Sequence, residues 1–427
     1  MTLRTRLGLL RDHDYRQLWV STTVSQLGFQ VTQLAVTLVA IDHLGVSESQ
    51  AGLLVTAQFA AFLLVGLPAG AWVDRVRRRR VLIVADVGRG LLLASVPLAW
   101  WAGVLTLGQL YVVTLAHGVL TVFFDVAYQS YLPHLVGRER LVEGNAKLEA
   151  IRSTSHVAGP SFAGQVIRLL GAPVALLIDA VAMAASALLY ARIRKPEPRP
   201  QRRQGRRLRH EITEGLRFVL GHRLLRAIAA CTGSHNFFAA IYSAMLLFYL
   251  RREVGLDPGT IGLVLSMRGV GGVVGAVVAR RVAGWLGQGR AIWMSAAFSS
   301  PFMLLLPLVE SPGWLLWVAA AASAVSSAGE VIYNVTQVSF RQAITPDQLL
   351  GRMNASIRFL VWGTMPLGGL AGAWLGGWLG ARQTMLVGLL GTCVAFLPVF
   401  LSPLRSMRSL PRPADVPAEA VTSRADG

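Results

Sequence analysis

Long apolar segments recur along almost the whole chain and are separated by short polar stretches. A segment of about twenty apolar residues is long enough to cross a bilayer as an α-helix. Windows of that length predict twelve spans, at residues 18–41, 50–72, 81–103, 107–130, 146–170, 172–193, 224–250, 259–282, 291–309, 313–336, 353–378 and 381–403. The pattern therefore predicts an all-α membrane protein with twelve transmembrane helices.

The composition agrees with a membrane protein and excludes a set of water-soluble domains. Of the 427 residues, 53% are hydrophobic and only 15% are charged, and the mean hydropathy is +0.51. The two cysteines, Cys231 and Cys393, both lie inside apolar segments. A disulfide framework, a metal site and a bound cofactor are therefore not expected.

The formal net charge of +19 would indicate a nucleic-acid partner in a soluble protein, but these arginines lie in alternate loops. The loop after span 2, the loop after span 4 and the stretch 192–223 are rich in arginine, whereas residues 42–49 and 310–313 are not. Basic loops of membrane proteins face the cytoplasm. The pattern predicts that both termini are cytoplasmic, that the basic loops face anionic lipids, and that no nucleic acid is bound. The main exceptions are Arg251, Arg252 and Arg382.

An internal repeat indicates two related halves. The segment after span 4 and the segment after span 10 align at an offset of 209 residues, so that Asn145, Ala146 and Gly159 fall on Asn354, Ala355 and Gly368. Such repeats with a site between them are typical of transporters. We predict a first six-helix half at 1–193, a cytoplasmic basic linker at 194–223, a second half at 224–404 and a disordered cytoplasmic tail at 405–427.

The loop between spans 2 and 3 resembles the signature of the major facilitator superfamily, Gly-x-x-x-Asp-Arg-x-Gly-x-Arg-Arg. The matching residues are Gly70, Asp74, Arg75, Arg79 and Arg80, and Arg77 stands where the signature has glycine. The resemblance implies a contact that closes the two halves on the cytoplasmic side. The alternative is a basic loop that only sets the orientation.

Two further segments extend this resemblance. Gly159, Pro160 and Gly164 in span 5 are similar to part of a Gly-Pro motif of antiporters, although a helix kink with close packing would need the same residues. The stretches NAKLEA and PDQLLGRMNA resemble the branch of the superfamily that contains macrolide-efflux proteins and the enterobactin exporter. This resemblance implies an exporter of the bacterial inner membrane.

Ionisable residues inside spans are costly and are candidates for function. Asp125 in span 4 and Glu330 in span 10 have no opposite charge within four residues. A carboxyl group in such surroundings can take up and release a proton, so both are predicted to couple transport to protons, with Glu330 as the first candidate and Asp125 as the second. The alternative for each is an ion pair with an arginine of another span.

Neutral polar and aromatic residues accompany these carboxylates and are candidates for lining a cavity. They are Tyr333, Asn334 and Gln337 in span 10, Tyr128, Gln129 and His117 in span 4, His235 and Asn236 in span 7, and Trp362 in span 11. A structural role is the alternative for the histidines.

The remaining charged positions inside spans favour packing or pairing. Asp86 and Arg89 lie three residues apart on one helix face and predict an ion pair. Glu149, Arg152 and His156 form a stripe on span 5 that suits either a network of gating residues or a neutralised packing face. Packing or pairing is also the expectation for Asp179, Arg268 and Arg358.

The chain contains no nucleotide-binding Gly-x-x-x-x-Gly-Lys motif, since neither Lys147 nor Lys195 follows a glycine. It also contains no HExxH or GxSxG motif, so an enzyme is not expected. The leading interpretation is a monomeric secondary active transporter that exports a small amphipathic molecule, such as a drug, antibiotic or siderophore, by proton antiport with alternating access. The alternative is a transport-inactive membrane sensor or scaffold on the same fold.

Overall fold

The structure, a computed structural model, describes residues 8–73, 75–137, 139–197, 208–346 and 349–407, and these contain helices and turns without a strand. The α-helices are α1 His13–His43, α2 Glu48–Val73, α3 Arg78–Trp101, α4 Leu107–Val136, α5 Leu141–Leu170, α6 Ala172–Ala191, α7 Leu208–Gly221, α8 Arg223–Phe248, α9 Pro258–Leu286, α10 Gln288–Ser299, α11 Trp314–Ile344, α12 Leu350–Trp362, α13 Thr364–Leu379, α14 Ala381–Val394 and α15 Leu397–Phe400. A π-helix, Tyr249–Glu253, extends α8, and a 3-10 helix, Ser300–Leu308, extends α10.

Ten helical segments within these described ranges are long and apolar enough to cross a membrane. The predicted spans 146–170 and 224–250 correspond to α5 and α8, which are of sufficient length but are not among the ten. Charged and polar side chains such as Arg152 and His235 lower the hydropathy of these two helices. Because a polar residue inside a membrane costs free energy, such helices are expected to face protein or a water-filled cavity.

The predicted span 353–378 is not one continuous helix. It is interrupted at Gly363, between α12 and α13. Pro366 has no N–H group to donate to the carbonyl of Trp362 four residues earlier, so the ladder of backbone hydrogen bonds cannot continue there. The carbonyl of Val361 near the break accepts hydrogen bonds from Asn236 Nδ2 at 3.2 Å and Thr364 Oγ1 at 2.8 Å.

The predicted basic linker, 194–223, contains a helix. Its second part forms α7, which packs against α12. The close approach depends on Gly215, where a Cβ atom would lie 2.8 Å from the carbonyl oxygen of Arg352. Glu214 of α7 also pairs with Arg352. Residues 198–207 and the tail 408–427 lie outside the described residues.

Consecutive helices are connected at two opposite ends of the molecule. We call one end the linker side, where α2 leads to α3, α4 to α5, α6 to α7 and α8, α9 to α10 and α11 to α12, and the other the loop side, where the remaining connections lie. Two glycines with positive φ, Gly137 at 76° and Gly171 at 84°, end α4 and α5. Glycine adopts this left-handed conformation without steric cost, which permits an abrupt turn.

For description, the helices are divided into a first set, α1–α6, and a second set, α8–α15. In the first, α1 packs on α5 and α6, and α4 packs on α2 and α3; in the second, α8 packs on α13 and α14, and α9 packs on α11. Helices α2 and α5 of the first set contact α13 and α9 of the second.

Candidate functional site

The two sets of helices meet through glycines toward the loop side. A Cβ atom at Gly52 of α2 would lie 2.7 Å from the Cα of Ala373 on α13, and one at Gly369 would lie 2.6 Å from Thr56 Oγ1. Gly164 of α5 would similarly collide with α9, at 3.0 Å from the Cα of Gly262. The absence of side chains lets these backbones approach closely, so the contact between the sets is tight at this end.

Ion pairs differ between the two ends. On the loop side, Arg251 Nε donates to Asp42 Oδ1 at 2.8 Å, and Arg252 donates to the carbonyl of Ile41, so both contacts join the two sets. On the linker side, Arg78 of α3 pairs with Glu197, and Arg352 of α12 pairs with Glu214 of α7. An ion pair therefore bridges the space between the two sets on the loop side.

Charged and aromatic side chains face this space from the middle of apolar helices. Asp125 and Gln129 are exposed, four residues apart, on α4. Glu149 is exposed and Arg152 is half-buried on α5, and Arg358 and Trp362 are exposed on α12. Exposed charges in the middle of membrane helices require water rather than lipid around them. We call this space the central cavity.

Asp125 makes no ion pair within 4 Å in the part of the chain that the structure describes. Three arginines nevertheless lie within electrostatic range of its carboxylate: Arg89, Arg152 and Arg358. The first belongs to α3 and the second to α5, whereas Arg358 comes from the second set of helices. Asp125 is therefore a carboxylate that faces positive charge without being locked to it.

Glu330 has a direct partner. Its Oε2 accepts a hydrogen bond from Arg268 Nη2 of α9 at 2.8 Å, and Ser326 Oγ lies 3.5 Å from its Oε1. Arg268 Nη1 also contacts the sulfur of Met303 at 3.2 Å. The arrangement corresponds to the ion-paired alternative considered for Glu330, and it confirms the pairing role expected for Arg268.

The polar residues predicted beside Glu330 do not all face the cavity. Tyr333 is buried, and its hydroxyl lies 2.6 Å from Thr232 Oγ1 of α8. Gln337 is also buried and donates to the side chain of Asn334 at 3.0 Å, while Asn334 itself is exposed. Of these three predicted cavity residues, the structure places Asn334 on an accessible surface.

The polar residues predicted on α4 divide in the same way. Tyr128 is buried, with its hydroxyl 3.2 Å from Thr22 Oγ1, whereas Gln129 is exposed. His117 is buried against a small separate cavity that Gln33 and Gln58 also line, and its Nε2 has no hydrogen-bond partner among the described residues. His117 is therefore not part of the central cavity.

On α8, the two predicted residues have different environments. His235 is half-buried within electrostatic range of Glu330 and Arg268. Asn236 donates to the backbone at the α12–α13 break, so it supports the interrupted helix. Only His235 is placed where it can affect the charged pair.

A buried polar network lies behind the cavity in the first set. Arg89 pairs with Asp86, which confirms the ion pair predicted from their spacing. Asp86 also accepts a hydrogen bond from Ser186 Oγ at 2.6 Å, and the guanidinium of Arg89 lies 4.2 Å from the centroid of the Phe124 ring. Buried charges with several partners of this kind hold helices in one arrangement.

The loop signature has a local structural role on the linker side. Gly70 lies within α2, and Asp74 lies outside the described residues. Arg79 Nε donates to the carbonyl of Tyr190 at 2.9 Å, while Arg75 and Arg80 are exposed. Arg79 thus contacts its own set of helices, and the contact that closes the two sets stays a prediction.

The Gly-Pro segment of α5 lies in the contact with neighbouring helices. A Cβ atom at Gly159 would lie 2.9 Å from Gln30 Nε2 of α1, and Gly164 packs against Gly262 of α9. Pro160 lies inside the helix. These contacts match the close packing that was one of the two interpretations of the segment.

Two residues at the central cavity, Arg358 and Phe62, were not predicted from the sequence to lie there. Arg358 was expected to pack or pair, and Phe62 belonged to an uninterrupted apolar segment. The sequence does carry a signal for Arg358, because this arginine lies inside a predicted span and has no acidic residue one helical turn away. Within the described residues, no group of three or more histidine, cysteine, aspartate or glutamate side chains could hold a metal ion.

These features define a polytopic helical membrane protein with charged side chains that face a central cavity. The family profile of the Major Facilitator Superfamily matches residues 18–367, and the chain belongs to this superfamily. It is 30% identical over 390 residues to the multidrug efflux pump Tap of Mycobacterium tuberculosis strain H37Rv, covering 87% of this chain and 89% of that protein.

A second relative and a solved structure give the same family and fold. The chain is 26% identical over 387 residues to the enterobactin exporter EntS of Citrobacter koseri, covering 88% of each protein. The crystal structure of a bacterial homologue of the iron transporter ferroportin, in an inward-facing state, superposes with a TM-score of 0.68 at 18% identity and covers 92% of this chain and 98% of that one.

Proposed function

We propose that this protein is a secondary active transporter that exports small amphipathic molecules across the bacterial inner membrane. The observation that carries the proposal is the central cavity, in which charged and aromatic side chains from both sets of helices face water in the middle of apolar helices. Membership of the superfamily and the two efflux relatives support export. Because those relatives are named for different cargoes, the substrate class proposed here is broad: a drug, an antibiotic or a siderophore.

The proposed topology has twelve spans in two six-helix halves, at 1–193 and 224–404. The polar helices α5 and α8 count as spans because their charges face the cavity or a neighbouring helix, and α12 with α13 forms one interrupted span. The arginine-rich linker side faces the cytoplasm and its anionic lipids. The cavity described above is then the inward-open state of an alternating-access cycle.

Proton antiport is the proposed source of energy, and Asp125 is the first candidate for the proton site. Its carboxylate is accessible from the cavity and has no direct ion pair among the described residues, so it can exchange a proton with water. Glu330 is the second candidate, because the proton would have to compete with Arg268 for its carboxylate. The proton would enter from the outside and leave on the cytoplasmic side while the substrate moves out.

Transport in proteoliposomes tests this proposal. Protein reconstituted in one orientation should accumulate lipophilic antibiotics, or a catecholate siderophore, when a pH gradient is imposed, and should acidify the opposite compartment. Asp125→Asn should abolish proton-driven accumulation and retain binding of the same compound. The matched control is Asp257→Asn, which alters the cap of α9 away from the cavity, where asparagine also caps well.

The outcomes separate the candidate functions. Proton-driven accumulation by Asp125→Asn at the wild-type rate would reject the proton site. Failure of the wild-type protein to move any of these compounds, with binding preserved, would favour the transport-inactive sensor or scaffold.

A further inference from the structure

Arg358 presents a positive charge without a direct acidic partner to the central cavity. Its guanidinium carbon is 4.7 Å from the centroid of the Trp362 ring on the same helix and 5.4 Å from the centroid of the Phe62 ring on α2. Cation–π contacts of this kind hold an arginine in place without neutralising its charge. Arg358 is exposed, and in the described ranges it makes no ion pair and donates no hydrogen bond.

The two rings beside Arg358 come from different sets of helices and form one surface. The ring centroids of Phe62 and Trp362 are 4.9 Å apart, and the ring planes meet at 49°. Directly after Trp362 the helix is interrupted at Gly363, where a Cβ atom would lie 3.4 Å from Leu63 of α2. The aromatic surface is therefore fixed at the place where α2 of the first set contacts α12 of the second.

The helices around this aromatic surface are poor in acidic residues. Helices α8, α12 and α13 contain neither aspartate nor glutamate, and the one acidic residue of α2, Glu48, begins that helix on the loop side. The exposed carboxylates of the cavity, Asp125 and Glu149, belong to α4 and α5 of the first set, and neither forms an ion pair with Arg358 in the described residues. The charge of Arg358 is therefore available to a molecule that enters the cavity.

A guanidinium held in this way is suited to an anionic oxygen group. Its five N–H donors lie in one plane and match the two oxygens of a carboxylate, whereas packing against a ring uses only the face of the group. The neighbouring rings can pack against a flat apolar part of the same molecule, since Trp362 is 43% exposed and aromatic rings attract one another. A cation would be repelled at this position, and a neutral molecule would leave the donors of Arg358 to water.

We propose that Arg358, Phe62 and Trp362 form a subsite of the central cavity that binds the anionic group and the ring of an aromatic acid, so that the exported molecules include aromatic acids. This inference rests on the proposed function, because it names the substrate class of the same cavity. The subsite selects by charge. An aromatic acid makes both contacts, the corresponding alcohol keeps only the ring contact, and the corresponding amine is repelled by Arg358.

Three probes that share one ring system and differ in charge test the subsite: naphthoate, naphthylmethanol and naphthylmethylammonium. Their dissociation constants are measured by isothermal titration calorimetry at neutral pH, with the purified protein in nanodiscs of a zwitterionic lipid. We expect the wild-type protein to bind the acid about tenfold to a hundredfold more tightly than the alcohol, which is the range for a hydrogen bond to a charged group. The amine should bind more weakly than the alcohol.

Variants separate the charge from the rings. Arg358→Gln should lower the affinity for the acid by about tenfold or more and leave the affinity for the alcohol unchanged, which also reports an intact fold. Arg358→Lys keeps the charge but not the planar donors, so it should retain part of the preference for the acid. Trp362→Leu should weaken the binding of both the acid and the alcohol.

A matched control is available at the end of the second set. Arg405 also lies over an aromatic ring, with its guanidinium carbon 5.9 Å from the centroid of the Phe400 ring, but it follows α15 and is not part of the cavity surface described above. Arg405→Gln removes the same charge and the same kind of ring contact. It should bind all three probes with the affinities of the wild-type protein.

Three results would overturn the subsite. They are an equal loss of acid and alcohol binding in Arg358→Gln, binding of the amine by the wild-type protein as tightly as the acid, and no binding of naphthoate by the wild-type protein at millimolar concentration.

The transport experiment in proteoliposomes separates this inference from the proposed function. Accumulation of neutral or cationic antibiotics that Arg358→Gln does not change, together with no preference for naphthoate, rejects the substrate class and keeps the transporter. Selective binding of naphthoate by a protein that transports neither it nor the antibiotics keeps the subsite and rejects the transporter.

Discussion

Asp125 and Glu330 have similar sequence surroundings but different structural ones. Each lies in an apolar helix without an opposite charge within four residues, yet Glu330 is paired with Arg268 and Asp125 is not paired among the described residues. The arginine that pairs with Glu330 lies 62 residues away along the chain. A single sequence shows that a charge in an apolar helix needs an explanation, but it does not show which helix supplies the partner.

The Arg268–Glu330 pair leads to a stability prediction. Glu330→Gln leaves the half-buried guanidinium of Arg268 without its counter-charge, so we expect the free energy of unfolding to fall by about 1–3 kcal/mol. Arg268→Gln should have a similar effect, and the double variant should recover part of the loss. Thermal unfolding of purified protein in detergent measures all three. Unchanged stability in Glu330→Gln would contradict a stabilising ion pair between Glu330 and Arg268.

At the level of helices, the hydrophobic pattern predicts where a helix exists better than it predicts whether that helix is continuous. The apolar windows correspond to helices throughout the described residues, because twenty apolar residues have few alternatives in a bilayer. The break at Gly363 depends on Pro366, and α7 depends on packing against α12, so neither follows from mean hydropathy. The ends also differ: α4 extends to Val136, six residues beyond the predicted end at 130.

Alanine substitutions at two glycines, one in the contact between α5 and α9 and one near the end of α9, should change the stability in opposite directions. Gly164→Ala places a methyl group 3.0 Å from the Cα of Gly262, so we expect a loss of about 1–3 kcal/mol from overpacking. Gly284→Ala near the end of α9 meets no atom within 4 Å, and alanine should stabilise the helix there by about 0.5–1 kcal/mol. Thermal unfolding of the two variants should shift in opposite directions. A stabilising effect of Gly164→Ala would contradict the close approach.

Across the whole molecule, the exceptions to the charge pattern of the loops have structural partners. Arg251 binds Asp42, Arg252 donates to the carbonyl of Ile41, and Arg382 donates to Glu310 Oε1 at 2.8 Å. The sequence identifies these arginines as departures from the positive-inside pattern. It does not show that the first two join the two sets of helices while the third connects residues of one set.

This difference predicts that Arg251, and not Arg382, affects the balance between the two open states. An exposed ion pair contributes at most about 1 kcal/mol, so Arg251→Gln should raise the population open to the loop side by up to about fivefold. The rate at which an impermeant maleimide added outside labels Gln129→Cys, in right-side-out vesicles of a variant without Cys231 and Cys393, reports that population. Arg382→Gln removes an ion pair of the same geometry on the same side, within one set, and should leave the rate unchanged. Exchanging the charges, with Asp42→Arg and Arg251→Asp together, should restore the slow labelling rate, because the attraction between the sets is then re-formed. Equal acceleration of labelling by Arg251→Gln and Arg382→Gln would show that the loop-side ion pair does not hold the two sets together.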